Sequence, residues 1–178
     1  LLHQQMEDLE ADLAQEVTGS LRDRNALVVG AGAMSSLSLQ TLASRGVSDI
    51  TVASRTSSST KRAADLSGAT PIGMDELPGA LTKADVIVSA TGANGVVITA
   101  ADIATAMQGR QNRALVVVDL ALPHDTEPEV GSLESVTRID LAALAHAPGA
   151  AASQSDLDVA RTLIDDEVRA FLADQAAQ

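Results

Sequence analysis

Gly30 and Gly32 stand between an apolar run, 26–29, and a segment with helical spacing. A short continuous apolar run is typical of a strand buried on both faces, so these glycines would occupy a strand-to-helix turn. There the first glycine permits a tight turn, and the second lets the backbone approach a pyrophosphate held at the helix N-terminus. Ser35 fills the third position of this fingerprint and is small enough for close helix packing. We expect a dinucleotide to contact Gly30, Ala31, Gly32, Ala33, Met34 and Ser35.

Ser54, Arg55 and Thr56 follow the second apolar run, 50–53. An NAD site places a carboxylate here, which accepts a hydrogen bond from the ribose 2′-hydroxyl. This chain instead has a guanidinium flanked by two hydroxyls, a set of donors that suits a 2′-phosphate. The sequence therefore predicts NADPH as the cofactor. Lys61, one helical turn further on, either adds to the positive field or is a solvated charge.

Two further groups of residues follow later apolar runs, at what would be the carboxyl edge of a parallel sheet. Small residues after 86–88 would let the cofactor cross that edge, and the loop after 115–118 is where a nicotinamide usually lies. Asp119 has a structural alternative as a turn or helix cap, and His124 is more commonly solvent-exposed than catalytic. The expected contacts are Ala90, Thr91, Gly92, Asp119, Leu120, Ala121 and Pro123.

The elements that must position these residues alternate along the chain. Runs rich in β-branched residues are separated by segments of helical length, a pattern that predicts a doubly wound α/β fold of the Rossmann type, with right-handed crossovers. A parallel sheet in the order 3-2-1-4-5-6 follows, and a glycine-rich turn without a ligand is disfavoured in that context. The predicted strands are 26–29, 50–53, 70–72, 86–88, 115–118 and 136–139. The predicted helices are 34–44, 61–67, 75–82 and 99–107.

The two ends of the chain have the spacing of amphipathic helices, over 1–20 and 151–178. The Rossmann domain would then occupy 21–150. The terminal helices either close over the sheet or are the ends of longer helices that connect to other domains.

Composition excludes several classes of function. One Phe, no Trp and no Tyr leave no aromatic platform for stacking nucleic acid bases, and the net charge of −12 opposes phosphate backbones. With no Cys, the chain has neither a disulfide nor a thiolate metal site or nucleophile, and no His or carboxylate spacing indicates a metal. No apolar run reaches the roughly 20 residues of a membrane span. We expect a soluble, cytoplasmic protein.

Together the four motifs resemble the NADPH-binding domain of the glutamyl-tRNA reductase family. The resemblance covers about 25–144, and its specific parts are Met34 within the glycine loop and the Asp-Leu-Ala-Leu-Pro run at 119–123. Departures from the usual family residues fall at Ala33, Ser35, Ser54 and His124.

The resemblance implies an oxidoreductase of tetrapyrrole (porphyrin) biosynthesis. In that family a Cys on another domain takes glutamate from its tRNA as a thioester, and NADPH reduces the thioester to glutamate-1-semialdehyde. It implies no catalytic residue in this chain, glutamyl-tRNA as a partner through other domains, and a homodimer in the full-length protein. The helix over 1–20 would end a linker from the catalytic domain, and 151–178 would begin a connecting helix.

Two alternatives remain open on the sequence alone. One is an NADP oxidoreductase domain like that of shikimate dehydrogenase, which also has an Arg-Thr pair after its second strand but usually a Tyr after its fifth. The other is a nucleotide-sensing module without catalysis.

Overall fold

A single parallel sheet forms the centre of the computed structural model, which describes Asp8 and residues 23–140. Its strands are β1 (Asn25–Val29), β2 (Asp49–Ala53), β3 (Thr70–Ile72), β4 (Val86–Ser89), β5 (Leu115–Asp119) and β6 (Val136–Asp140). They are ordered β3-β2-β1-β4-β5-β6, and every neighbouring pair is parallel. The predicted doubly wound sheet is therefore confirmed. The strand order reverses between β1 and β4, so a ligand crevice is expected at the carboxyl ends of these two strands.

Helices cover both faces of this sheet. Within residues 23–140 the α-helices are α1 (Ala33–Ser44), α2 (Ser57–Ser67), α3 (Leu77–Lys83) and α4 (Ala100–Gly109). Alternate residues of β1 point to opposite faces: Val28 lies in one apolar cluster with α1 and α2, and Leu27 lies in the other with α3 and α4. Both are at most 1% exposed, as expected of a central strand buried on two sides.

Two helices differ in their start from the sequence prediction. The second begins at Ser57 and not at 61, since the polar residues of its first turn carry no apolar periodicity that a pattern could detect. The segment predicted as a helix over 75–82 begins as a 3₁₀ turn, Met74–Glu76, before α3. Pro78 stands in the first turn of α3, where its missing N–H removes no helical hydrogen bond.

Arg110 lies at the amino edge of the sheet, just after α4, and is 1% exposed. Its guanidinium donates to the Asp85 carboxylate at 3.1 Å and to the carbonyl of Ala114 at 2.8 Å. It also donates to the carbonyls of Thr82 and Ala84, near the end of α3. Burial lowers the pKa of Arg110, whereas its bond to Asp85 raises it. One cation therefore ties together the chain ends from which β4 and β5 start.

The predicted terminal helices, 1–20 and 151–178, lie outside the described residues apart from Asp8. That residue is helical, and its carbonyl accepts a hydrogen bond from Arg45 at 3.3 Å. None of the described helices has the length and hydrophobicity needed to cross a lipid bilayer.

Candidate dinucleotide site

A cleft of about 380 Å³ opens at the carboxyl ends of β1, β2 and β4, where the strand order reverses. It brings together most of the residues predicted from the sequence: Gly30, Ala31, Gly32, Ser54, Arg55, Thr56, Ala90, Thr91 and Gly92. Its other lining residues are Ser59, Met74, Ala93 and Val97. A groove of about 510 Å³ lies at the amino ends of β1, β2 and β3, but ligands of open α/β sheets bind at the opposite edge.

Several predicted contacts do not line this cleft. Met34 and Ser35 are buried beneath the glycine turn, and Lys61 is exposed on α2. Leu120 and Ala121 are buried, and half-buried Pro123 follows them through a cis peptide bond. Ala33 and Asp119 are likewise not among the lining residues.

The two glycines of the turn have different structural roles. Gly30 has a φ of +118°, and a Cβ there would meet the Ala90 carbonyl and lie 2.8 Å from Ser35 Oγ. Only glycine fits that position. Gly32 has an ordinary φ of −87°, and a Cβ there would meet nothing within 4 Å. The space beside Gly32 faces the cleft, so its missing side chain leaves room for a ligand and not for the protein.

Gly30→Ala and Gly32→Ala are therefore expected to separate folding from binding. The first forces a side chain into backbone at a positive φ and should lower the free energy of unfolding by about 1–3 kcal/mol or more. The second should leave that free energy within about 1 kcal/mol and weaken dinucleotide binding, since the new methyl group fills the approach to the pyrophosphate. Urea unfolding and calorimetric titration measure the two quantities. Equal effects of both substitutions on stability would contradict this division.

The N-terminus of α1 begins at this turn. Gly32 is the N-cap residue and supplies no side-chain cap, and the first turn contains no acidic residue. The N–H groups of that turn and the positive end of the helix dipole are therefore available to an anion. This is the geometry that the glycine fingerprint requires.

Arg55 lies in the turn after β2, where it lines the cleft and is exposed to solvent. It makes no ion pair with any described residue. Ser54 does not point a free hydroxyl at the cleft: its Oγ donates to the Thr56 carbonyl at 3.1 Å and makes a short hydrogen bond with Thr60 Oγ1. Ser54 therefore shapes the turn that presents Arg55. α2 starts immediately afterwards, with no side-chain cap on its N-terminus and no acid in its first turn.

The loop after β4 is held by hydrogen bonds to the Asp125 carboxylate. One carboxylate oxygen accepts from Ser89 Oγ at 2.7 Å and from the Thr91 N–H at 2.9 Å, and the other accepts a short hydrogen bond from Thr91 Oγ1. Asp125 is 0% exposed. Burial raises its pKa, the bonds from Thr91 and Ser89 lower it, and neighbouring Asp119 raises it further. The fold thus holds a carboxylate at a position that disfavours its charge.

Asp119 ends β5 and is fully buried. Its carboxylate accepts from the N–H groups of Ala121 at 3.0 Å and Thr126 at 2.8 Å and from the Thr126 hydroxyl at 2.7 Å. Arg138 approaches the oxygen that accepts from Thr126, at 3.6 Å. These contacts correspond to the turn-capping alternative. His124 is 39% exposed, and its Nδ1 lies 3.9 Å from that carboxylate without a hydrogen bond.

Comparison with known proteins places this site in a family. The family model described as shikimate / quinate 5-dehydrogenase matches residues 12–147. The chain belongs to that family. The description of that family as a dehydrogenase agrees with the prediction of a nicotinamide cofactor.

Within the family, the similar curated proteins are named glutamyl-tRNA reductase. The protein from Frankia alni is 40% identical over 82% of this chain and 31% of its own length. The one from Kineococcus radiotolerans is 41% identical over 90% of this chain and 36% of its own length. The predicted resemblance is confirmed, and the chain spans about a third of the relatives it matches.

Two solved structures, a glutamyl-tRNA reductase and a shikimate dehydrogenase, are similar to this chain. Glutamyl-tRNA reductase from Methanopyrus kandleri has a TM-score of 0.77 at 30% identity, over 97% of this chain and 42% of that one. Shikimate dehydrogenase from Mycobacterium tuberculosis has a TM-score of 0.50 at 26% identity, over 79% of this chain and 52% of that one.

Proposed function

We propose that this chain is the NADPH-binding domain of a glutamyl-tRNA reductase, supplying the hydride that reduces tRNA-bound glutamate to glutamate-1-semialdehyde for tetrapyrrole synthesis. The observation that carries the proposal is about 40% identity to curated glutamyl-tRNA reductases over 82% of the chain. Every residue of the cleft lies within the family match over 12–147. When bound, NADPH supplies a hydride from its nicotinamide ring.

The residues present fit a dinucleotide with a 2′-phosphate. Gly32 leaves room for a pyrophosphate beside the uncapped N-terminus of α1. Arg55 has no ion-pair partner among the described residues and would take the 2′-phosphate, together with the Thr56 hydroxyl and the uncapped start of α2. Ser59, which also lines the cleft, would add a hydroxyl on the same helical turn. None of the described residues that line the cleft carries a carboxylate to accept from a free 2′-hydroxyl.

The apolar part of the cleft suits the rest of the cofactor. Met74 and Val97 line it together with Ala90 and Ala93. These side chains would exclude water from the adenosine half of the nucleotide while backbone groups hold the phosphates. Among the described residues that line the cleft there is no Cys, His, Asp, Glu or Lys, so the cleft would orient the cofactor without supplying an activated nucleophile or a general acid or base.

An activated acyl carbon has to come from elsewhere in the enzyme. The chain contains no Cys, so the thioester that accepts the hydride would form on a catalytic domain joined to residues 1–20. Glutamyl-tRNA would bind mainly through that domain, and residues 151–178 would lead to a part that forms a homodimer. We propose that the enzyme acts in the cytoplasm.

The first experiment measures binding and turnover with the chain as it is. Calorimetric titration is expected to show NADPH binding more tightly than NADH. NADPH absorbance should stay constant when charged glutamyl-tRNA is added, because the chain can hold the hydride but cannot present the acceptor. Turnover on the order of 1 per second by this chain alone would contradict the division of labour between domains.

The same assay tests the two alternatives. Reduction of NADP⁺ on addition of shikimate would favour a dehydrogenase of the shikimate type, for which the match to the family model is the specific observation. Tight NADPH binding by a full-length protein that turns over neither substrate would favour a nucleotide-sensing module.

A further inference from the structure

Asp125 contacts both ends of the segment that forms one wall of the cleft. At one end its carboxylate accepts from Ser89 and Thr91, as described above. At the other end its main-chain carbonyl accepts from the N–H groups of Val97 at 2.7 Å and Ile98 at 2.9 Å. Thr91, Gly92, Ala93 and Val97 line the cleft, whereas Asp125 itself does not. One residue of the loop that follows β5 therefore makes hydrogen bonds to both ends of this wall and fixes its position.

The bonds continue one step further along the wall. Thr91 Oγ1 donates to Asp125 and accepts from the N–H of Ala93 at 3.2 Å. Because the hydroxyl hydrogen is committed to the carboxylate, its lone pairs are directed toward the Ala93 N–H. Loss of the carboxylate would release both the Thr91 N–H and the hydroxyl that orients Ala93.

We propose that Asp125 is a positioning residue for the dinucleotide, acting through Thr91 to hold the 91–97 wall of the cleft at the distance that the cofactor requires. The inference rests on the proposed function for the identity of the ligand. The carboxylate is 0% exposed, and its hydrogen bonds join residues 34 and 36 positions apart in sequence. Burying a carboxylate costs free energy unless hydrogen-bond donors are fixed around it. The bonds from Ser89 and Thr91 to Asp125 therefore order the loop as well as the carboxylate.

Replacing Asp125 by Ala should weaken NADPH binding at least about tenfold, since it leaves the Thr91 N–H and the Ser89 hydroxyl without their acceptor. Asp125→Asn should restore binding to within about threefold of the parent. Its amide oxygen can accept both of those bonds, and its NH₂ group can donate to the Thr91 hydroxyl. Calorimetric titration of each variant with NADPH gives the dissociation constants.

Glu127→Ala is the matched control, because Glu127 comes from the same loop and makes a comparable bond away from the cleft. Its carboxylate accepts from the Ala100 N–H at 2.7 Å, at the start of α4. Its removal should lower thermal stability and leave the NADPH dissociation constant within about threefold of the parent. If Glu127→Ala weakens binding as much as Asp125→Ala does, the loss reflects general destabilisation and the proposal is wrong.

Amide hydrogen exchange tests the positioning role without the cofactor. Asp125→Ala should speed exchange at Thr91 and Ala93 by at least about tenfold, while Asp125→Asn leaves it near the parent rate. Thr91→Val, which keeps the side-chain shape, should speed exchange at Ala93 and serves if the alanine variant does not fold. If the parent fails to bind NADPH, the proposed function fails while these rates still decide the role of Asp125. Parental exchange rates in Asp125→Ala or in Thr91→Val would overturn it.

Discussion

Arg55→Ala is expected to weaken NADPH binding by roughly 10- to 150-fold and to leave NADH binding nearly unchanged. A charge-assisted hydrogen bond to a phosphate contributes about 1.5–3 kcal/mol, which gives that range of affinity. The side chain is exposed at the mouth of the cleft and has no ion pair to a described residue, so its removal leaves no buried group unpaired. Titration of parent and variant with both cofactors measures the change in preference.

Lys61→Ala is the matched control for Arg55. Lys61 is also an exposed cation on the same side of the sheet, but it lies one turn into α2 and does not line the cleft. Its removal should change NADPH affinity less than about threefold, through the long-range field alone, and added salt should abolish that change. Equal losses for NADPH and NADH in Arg55→Ala, or no preference in the parent, would exclude a phosphate contact at Arg55.

The parts of this molecule that follow a repeating pattern could be predicted from the sequence. Buried parallel strands need continuous β-branched runs, and the turn after β1 needs a residue that tolerates a φ of +118°. Both requirements leave local traces in the chain. The fold, and the position of the glycine turn at the cleft, were therefore predictable.

Residues that act through long-range contacts left no such trace. Met74 stands on a 3₁₀ turn after the short edge strand β3, where no apolar period points to it. Asp125 lies six residues after Asp119, and the sequence pointed to Asp119 as the cofactor contact. Only the folded loop shows that Asp125, and not Asp119, accepts from the Thr91 N–H in the wall of the cleft. The one signal that could have suggested Asp125 is a pair of hydroxyl residues, Ser89 and Thr91, at the end of a buried strand.

Arg110 is the clearest case of a residue whose role depends on the fold. In sequence it is a cation after the last turn of a helix, which commonly means a solvated charge. It is buried because the end of α3 and the starts of β4 and β5 converge around it, and their carbonyls would otherwise lack donors. Asp85, its carboxylate partner, also accepts from the Asn25 N–H at 3.1 Å, so the start of β1 is joined to the same group of hydrogen bonds.

Arg110→Met is consequently expected to lower the free energy of unfolding by about 3–5 kcal/mol, because it leaves the buried Asp85 carboxylate and several carbonyls without a donor. Methionine keeps most of the volume, so the loss comes from polar groups more than from a cavity. In a domain of this size the midpoint of thermal unfolding should fall by roughly 2–4 °C for each kcal/mol. Urea unfolding followed by circular dichroism measures the change.

Arg113 provides the control for this prediction, since it approaches the same Asp85 oxygen at 3.9 Å but is 59% exposed. Arg113→Met should cost at most about 1 kcal/mol, as solvent-exposed ion pairs do. Adding Asp85→Asn to Arg110→Met should recover part of the loss, because the uncompensated buried charge is then gone. Two outcomes would show that Arg110 does not hold the amino edge of the sheet together. One is that Arg110→Met is no less stable than Arg113→Met. The other is that Asp85→Asn lowers the free energy of unfolding of Arg110→Met by as much as it lowers that of the parent.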